Sequence, residues 1–169
     1  FRKPFAPILK ENHVERLPYG CDPKEIQEAM DRLASRGIST AGVIVEPILG
    51  RGGVVLPPGG WLQELRQVCD LKGILLIYDE VLTGLARTGL ITHAEQVPCD
   101  LLCLGKALGG GMPLSVCLGT QEVMGAWPTE TPESIHTGTF FGHGLSCLVG
   151  YRTLSQIMSQ NLSKRAAGL

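Results

Sequence analysis

Asp79 closes the apolar run "GILLIYD", and Lys106 follows a second run, "CDLLCLG", 27 residues later. An amine and a carboxylate set at neighbouring strand ends suit imine chemistry. The amine condenses with a carbonyl. The carboxylate keeps a pyridine nitrogen protonated, so that the ring can take electrons from a carbanion. Taken singly, each residue has a plainer reading: Asp79 as a strand-end carboxylate capping nearby backbone, and Lys106 as a solvated loop charge.

Other chemistries fit the same residues less well. A phosphate-binding P-loop needs GxxxxGK[ST]. Here Ala107 stands where the hydroxyl should be, and Asp100 where the first glycine should be. The "GRGGVV" stretch has the wrong spacing for a dinucleotide fingerprint and runs into more apolar sequence. No HExxH, GxSxG or paired metal-ligand motif occurs. The six cysteines, Cys21, Cys69, Cys99, Cys103, Cys117 and Cys147, form neither a CxxC pair nor a repeated ligand pattern. They read as reduced thiols, several of them inside apolar runs, which suits cytoplasm or mitochondrial matrix.

A net charge of -1 offers no broad surface for nucleic acid or an anionic membrane. No run of eighteen apolar residues occurs, so no transmembrane span is expected. The 169 residues, 44% apolar, suffice for one core. The chain begins "FRKPFAPILK", without Met or an apolar leader, and reads as a processed or excised piece.

The elements that must position Asp79 and Lys106 alternate. Residues 1–20 hold three prolines and little periodicity, and read as an extended lead-in segment. In "CDPKEIQEAMDRLASRG", Asp22 is placed to N-cap, Pro23 to occupy the first helical position and Glu25 to complete a capping box. Ile26, Met30, Leu33 and Ala34 form its apolar stripe, and Gly37 stops it. "AGVIVEP" has the pattern of a strand buried on both faces. A second helix is expected over Trp61–Lys72, with Trp61, Leu62, Leu65, Val68 and Cys69 inward. "GILLIYDEV", "CDLLCLGKA" and "LSVCLGT" supply further strands, and "GLSCLVGYRTLSQIMSQNL" one long final helix. This alternation predicts an α/β three-layer sandwich around a mainly parallel sheet. In such sheets ligands sit outside the carboxyl ends of the strands, where Asp79 and Lys106 both fall.

The stretches "VIVEPILGRGGVVLPPGGWLQELRQVCDLKGILLIYDEVLTGLARTG", "CDLLCLGKALGGGMPLSVCLG" and "HTGTFFGHGLS" together resemble the class III pyridoxal-phosphate-dependent aminotransferases, of fold type I. The resemblance covers nearly all of residues 38–150. It implies a transaminase that moves an amino group from an amine or ω-amino acid to a 2-oxo acid. Lys106 would form a Schiff base with the cofactor and then shuttle the proton. Asp79 would pair with the pyridinium nitrogen, and Val81 would pack on one face of the ring. Thr139 would bind the cofactor phosphate of the neighbouring subunit in a homodimer. Glu46 would be a structural acid, Arg87 a support for the loop, and His136 and His143 loop or interface residues. The glycines after Lys106 would leave room for the cofactor and the facing subunit. The "ARTG" text favours an aminotransferase over an aminomutase; a racemase, decarboxylase or non-catalytic structural piece stays open.

Departures from the family pattern are equally specific. Leu82 stands where a glutamine often bonds the cofactor's phenolic oxygen. Arg51 stands where many members carry an acid, which turns expectation away from a glutamate-type donor switch. Gly144 replaces a frequent proline. On this resemblance, the upstream phosphate loop, the ring-stacking aromatic and the C-terminal small domain would lie outside these 169 residues. Residues 21–169 would then be the later half of the cofactor-binding large domain, with weak or no catalysis by itself.

Overall fold

The structure is a computed structural model of the chain, and the residues described are 13–126 and 138–169. Four strands form one sheet in the order β1 (Gly42–Val45), β2 (Leu75–Asp79), β3 (Leu101–Leu104) and β4 (Val116–Gly119). β1, β2 and β3 are mutually parallel, and β4 runs antiparallel to β3. The mainly parallel α/β architecture expected from the sequence is therefore present. Residues 13–20, the described part of the lead-in, contain a helical residue at His13, a turn at Tyr19–Gly20 and no strand.

α1 spans Pro23–Ala34. Asp22 caps it by accepting the Lys24 N–H at 2.8 Å. The reciprocal Glu25 bond of a capping box is not among the described hydrogen bonds. The buried stripe is Ile26, Ala29, Met30 and Leu33; Ala34 faces solvent. α2 spans Trp61–Lys72 as expected and ends at Gly73, where φ is +63°. Its buried residues Trp61, Leu65, Val68 and Cys69 join Ile26, Met30, Val45, Leu76 and Tyr78 in one core. Leu76 and Tyr78 point into that core, so the alternation along β2 turns Leu75, Ile77 and Asp79 to the opposite face. That face is open around β1, where Ile44 is 66% exposed. The apolar run "GVIV" is therefore buried on one side only, not on both.

Beyond β4, α3 (Gln121–Gly125) is capped by Thr120. The single long final helix divides into α4 (Gly144–Ser159) and α5 (Leu162–Ala167), because Asn161 turns left-handed at φ +51°. A second core joins Ile157 of α4 to Leu104 of β3 and to Leu85, Ala86 and Leu108.

Candidate active site

Asp79 is the last residue of β2 and is half-buried. Its Oδ1 accepts the Val81 N–H at 3.1 Å. That is the one hydrogen bond recorded to this carboxylate among the described residues, and Oδ2 stays available to an incoming N–H. The ladder runs one step further: Glu80 N–H donates to Cys103 O at 2.9 Å, and the chain then leaves the sheet at Val81.

Lys106 lies just past the end of β3, the next strand over. Gly105 breaks the strand, and its carbonyl accepts the Leu108 N–H at 2.9 Å to start a 3₁₀ turn over Lys106–Gly109. Lys106 opens that turn with its side chain exposed and its backbone left-handed at φ +40°. A non-glycine residue there costs about 1 kcal/mol or more. A Cβ on Gly105 would stand 3.4 Å from Val81 Cγ1 and 3.8 Å from Ser115 Cβ. Val81 therefore flanks the backbone that carries Lys106.

One of the glycines that follow packs against the chain itself. Gly110, at φ +55°, lies against α4: an added Cβ would meet Thr153 Oγ1 at 2.6 Å and Val149 Cγ1 at 3.0 Å. From the other side, a Cβ on Gly150 would meet Leu114 Cδ2 at 2.5 Å. These two glycines let the lysine turn dock on the chain's own helix. Gly111 faces open space.

Glu80 and His93 were not singled out by the sequence reading. Glu80 is 1% exposed. Its carboxylate accepts the His93 backbone N–H at 2.7 Å and the Thr83 hydroxyl at 3.3 Å, and it faces His93 Nδ1 at 3.0 Å. A carboxylate only accepts, so Nδ1 carries the proton at that contact. These bonds fold the loop 81–93 back onto the end of β2 and hold Val81 beside Asp79. The only signal in the sequence was a second acid beside Asp79. Nothing in periodicity links it to a histidine thirteen residues later.

The remaining candidates sort by contact. Glu46 accepts the Gly50 N–H at 3.1 Å and closes the turn after β1. Leu82 packs over the same turn, so close that a Cβ on Gly50 would meet its Cδ1 at 2.5 Å. Arg51 and Arg87 are exposed. His143 caps α4 by accepting the Ser146 N–H at 3.3 Å. Thr139 is exposed in the turn before α4, and no described contact joins it to Asp79 or Lys106. His136 lies outside the described residues. A cleft of about 890 Å³ between the 13–19 segment, α1 and β1 reaches Asp79 but not Lys106. Among the described residues no three metal-ligating side chains cluster, and no helix is long and apolar enough to cross a membrane.

The sequence model of the aminotransferase class-III family matches residues 2–169. The chain belongs to that family. Among solved class III structures, it is similar to the ornithine aminotransferase of Toxoplasma gondii, whose active site is described with partial PLP occupancy. Identity is 36% over 90% of this chain and 34% of that one, with a TM-score of 0.78. It is also similar to the acetylornithine aminotransferase of Elizabethkingia anophelis, at 37% identity over 89% of this chain and 36% of that one, TM-score 0.78. An (S)-enantioselective ω-transaminase from Thermomicrobium roseum matches at 33% identity over 86% and 33%, TM-score 0.78. The chain thus spans about a third of the length of these class III enzymes.

The described residues of this class III chain fit pyridoxal phosphate on one side: an exposed amine, a carboxylate with an unoccupied oxygen on the adjacent strand, and an apolar Val81 beside them.

Proposed function

We propose that this chain carries the lysine side of a pyridoxal-phosphate site, in an enzyme that moves an amino group from an amine or ω-amino acid to a 2-oxo acid. One observation supports the reading above the others. Asp79 and Lys106 close adjacent parallel strands, with Val81 against the glycine that precedes the lysine. When bound, the cofactor supplies an aldehyde for an amine and a ring that accepts electrons. Lys106 anchors it covalently, and afterwards its Nζ takes and returns the substrate proton. The Asp79 Oδ2 accepts the pyridinium N–H and keeps the ring protonated. Val81 shields one face of the ring from water.

In this reading residues 21–169 are the later half of the cofactor domain. Thr139 serves the cofactor phosphate of a second copy in a homodimer, which agrees with its exposure. The compartment is cytosol or mitochondrial matrix.

Adding pyridoxal phosphate to the chain, reducing with borohydride and mapping peptides tests the anchor. The expected result is a visible absorption band and a stable adduct on Lys106, both lost in Lys106→Ala. A label on another lysine, or none, overturns the assignment. A chain that keeps the fold without chemistry gives no band. In the whole enzyme Asp79→Asn is expected to lower turnover by at least 100-fold, the scale of losing a preorganised charge at the reacting group.

A further inference from the structure

Cys103 in β3 and Cys117 in β4 have no part in the site just described, yet they are register partners. Thr120 N–H donates to Asp100 O at 3.1 Å, and these two residues extend the β3–β4 register by one step. Asp100/Thr120 is therefore a hydrogen-bonded pair. Such pairs alternate with non-hydrogen-bonded ones along an antiparallel ladder. Counting inward, Leu101/Gly119 is non-hydrogen-bonded, Leu102/Leu118 hydrogen-bonded, and Cys103/Cys117 non-hydrogen-bonded. Non-hydrogen-bonded partners hold their Cα atoms about 4.5 Å apart with side chains closest. A disulfide spans roughly 4.4–6.8 Å between Cα atoms. Register partners on adjacent strands project their side chains to the same face, so the two thiols lie side by side. Both are free thiols in the structure, Cys117 exposed and Cys103 half-buried.

We propose that Cys103 and Cys117 are a dithiol that closes reversibly to a cross-strand disulfide by exchange with a small-molecule disulfide. The Cys117 thiolate attacks one sulfur of the small disulfide, forming a mixed disulfide and releasing one small thiolate. The Cys103 thiolate then attacks Cys117 Sγ, closing the cross-strand bond and releasing the second. The protein gives up two protons and two electrons, and the small disulfide becomes two thiols. Exposure makes Cys117 the first attacker. Burial, then the neighbouring Cys117 and the charge of Asp79, push the Cys103 thiol up, which leaves the first attack to Cys117. The closed bond would lie one strand from Asp79, the register partner of Cys103 on its other side. It would also lie two residues before Gly105.

The full chain, equilibrated in glutathione buffers from reducing to oxidising, alkylated and digested unreduced with trypsin, provides the test. Cleavage after Arg87, Lys106 and Arg152 puts the two cysteines on separate peptides, 88–106 and 107–152. The expected product is those peptides joined, about 2 Da lighter than their sum, and returned to free thiols by reduction. Cys103→Ser and Cys117→Ser should each abolish it, while Cys99→Ser and Cys147→Ser should not. Fragmentation of the joined wild-type peptides identifies the linked pair without any variant. A chain that takes up glutathione at Cys117 and never closes overturns the proposal, as does a link through Cys99 or Cys147.

Discussion

Glu80 is the most tightly held charge near the site, with three donors on one buried carboxylate. Removing it strands the His93 N–H and the Thr83 hydroxyl inside the protein. Glu80→Ala is therefore expected to destabilise the chain by about 3 kcal/mol. Glu80→Gln, which still accepts from the His93 N–H, should cost about half as much; urea unfolding separates the two. Lys106 behaves in the opposite sense. Its left-handed backbone favours glycine. Lys106→Gly should raise stability by about 0.5 kcal/mol, the relief of strain less the extra entropy of the unfolded chain. An unfolding midpoint that falls in Lys106→Gly would mean the side chain stabilises the fold. Lysine at this position is thus better explained by chemistry than by folding.

At the scale of elements, two contacts decide whether the strand ends line up. Asp100, before β3, accepts the Leu76 N–H at 2.6 Å and an Arg66 Nη1–H at 2.7 Å. It ties β2, β3 and α2 together. Burial pulls the Arg66 pKa down, but bonds to Asp100 and Asp70 more than offset this and leave it raised. Asp100→Ala should cost about 2–3 kcal/mol, chiefly by orphaning a buried strand N–H. The second contact is α4 against the lysine turn. Gly110→Ala meets both a left-handed backbone and Thr153, and about 2 kcal/mol of destabilisation is expected. Thr153→Ala in the same chain should recover part of it, as chemical denaturation of the double variant would reveal. Full additivity would mean that α4 does not sit against that glycine.

Over the whole molecule, the buried thiols and phenols set the alkaline limit. Burial raises Cys69 and Cys99 from 9.0 to about 11, and Tyr19 from 10.0 to about 12. Each folded-state pKa exceeds its unfolded value, so the stability it contributes is complete below about pH 9. It is lost as pH rises through about 11 to 12. The urea midpoint should be level from pH 7 to 8 and fall steadily above 9; a midpoint that rose there would contradict these environments. The sequence alone determined the α/β class, the span of α2 and the placing of Asp79 and Lys106 at strand ends. Those follow from local patterns: apolar runs, caps and breakers within a few residues. The tertiary structure decided what long-range contact decides. It ran β4 antiparallel, split the last helix at Asn161 and turned Gly110 toward α4. It closed Glu80 on His93 across thirteen residues and set Cys103 opposite Cys117. No periodicity encodes such pairings, because they depend on which strands become neighbours and on which face each side chain then shares.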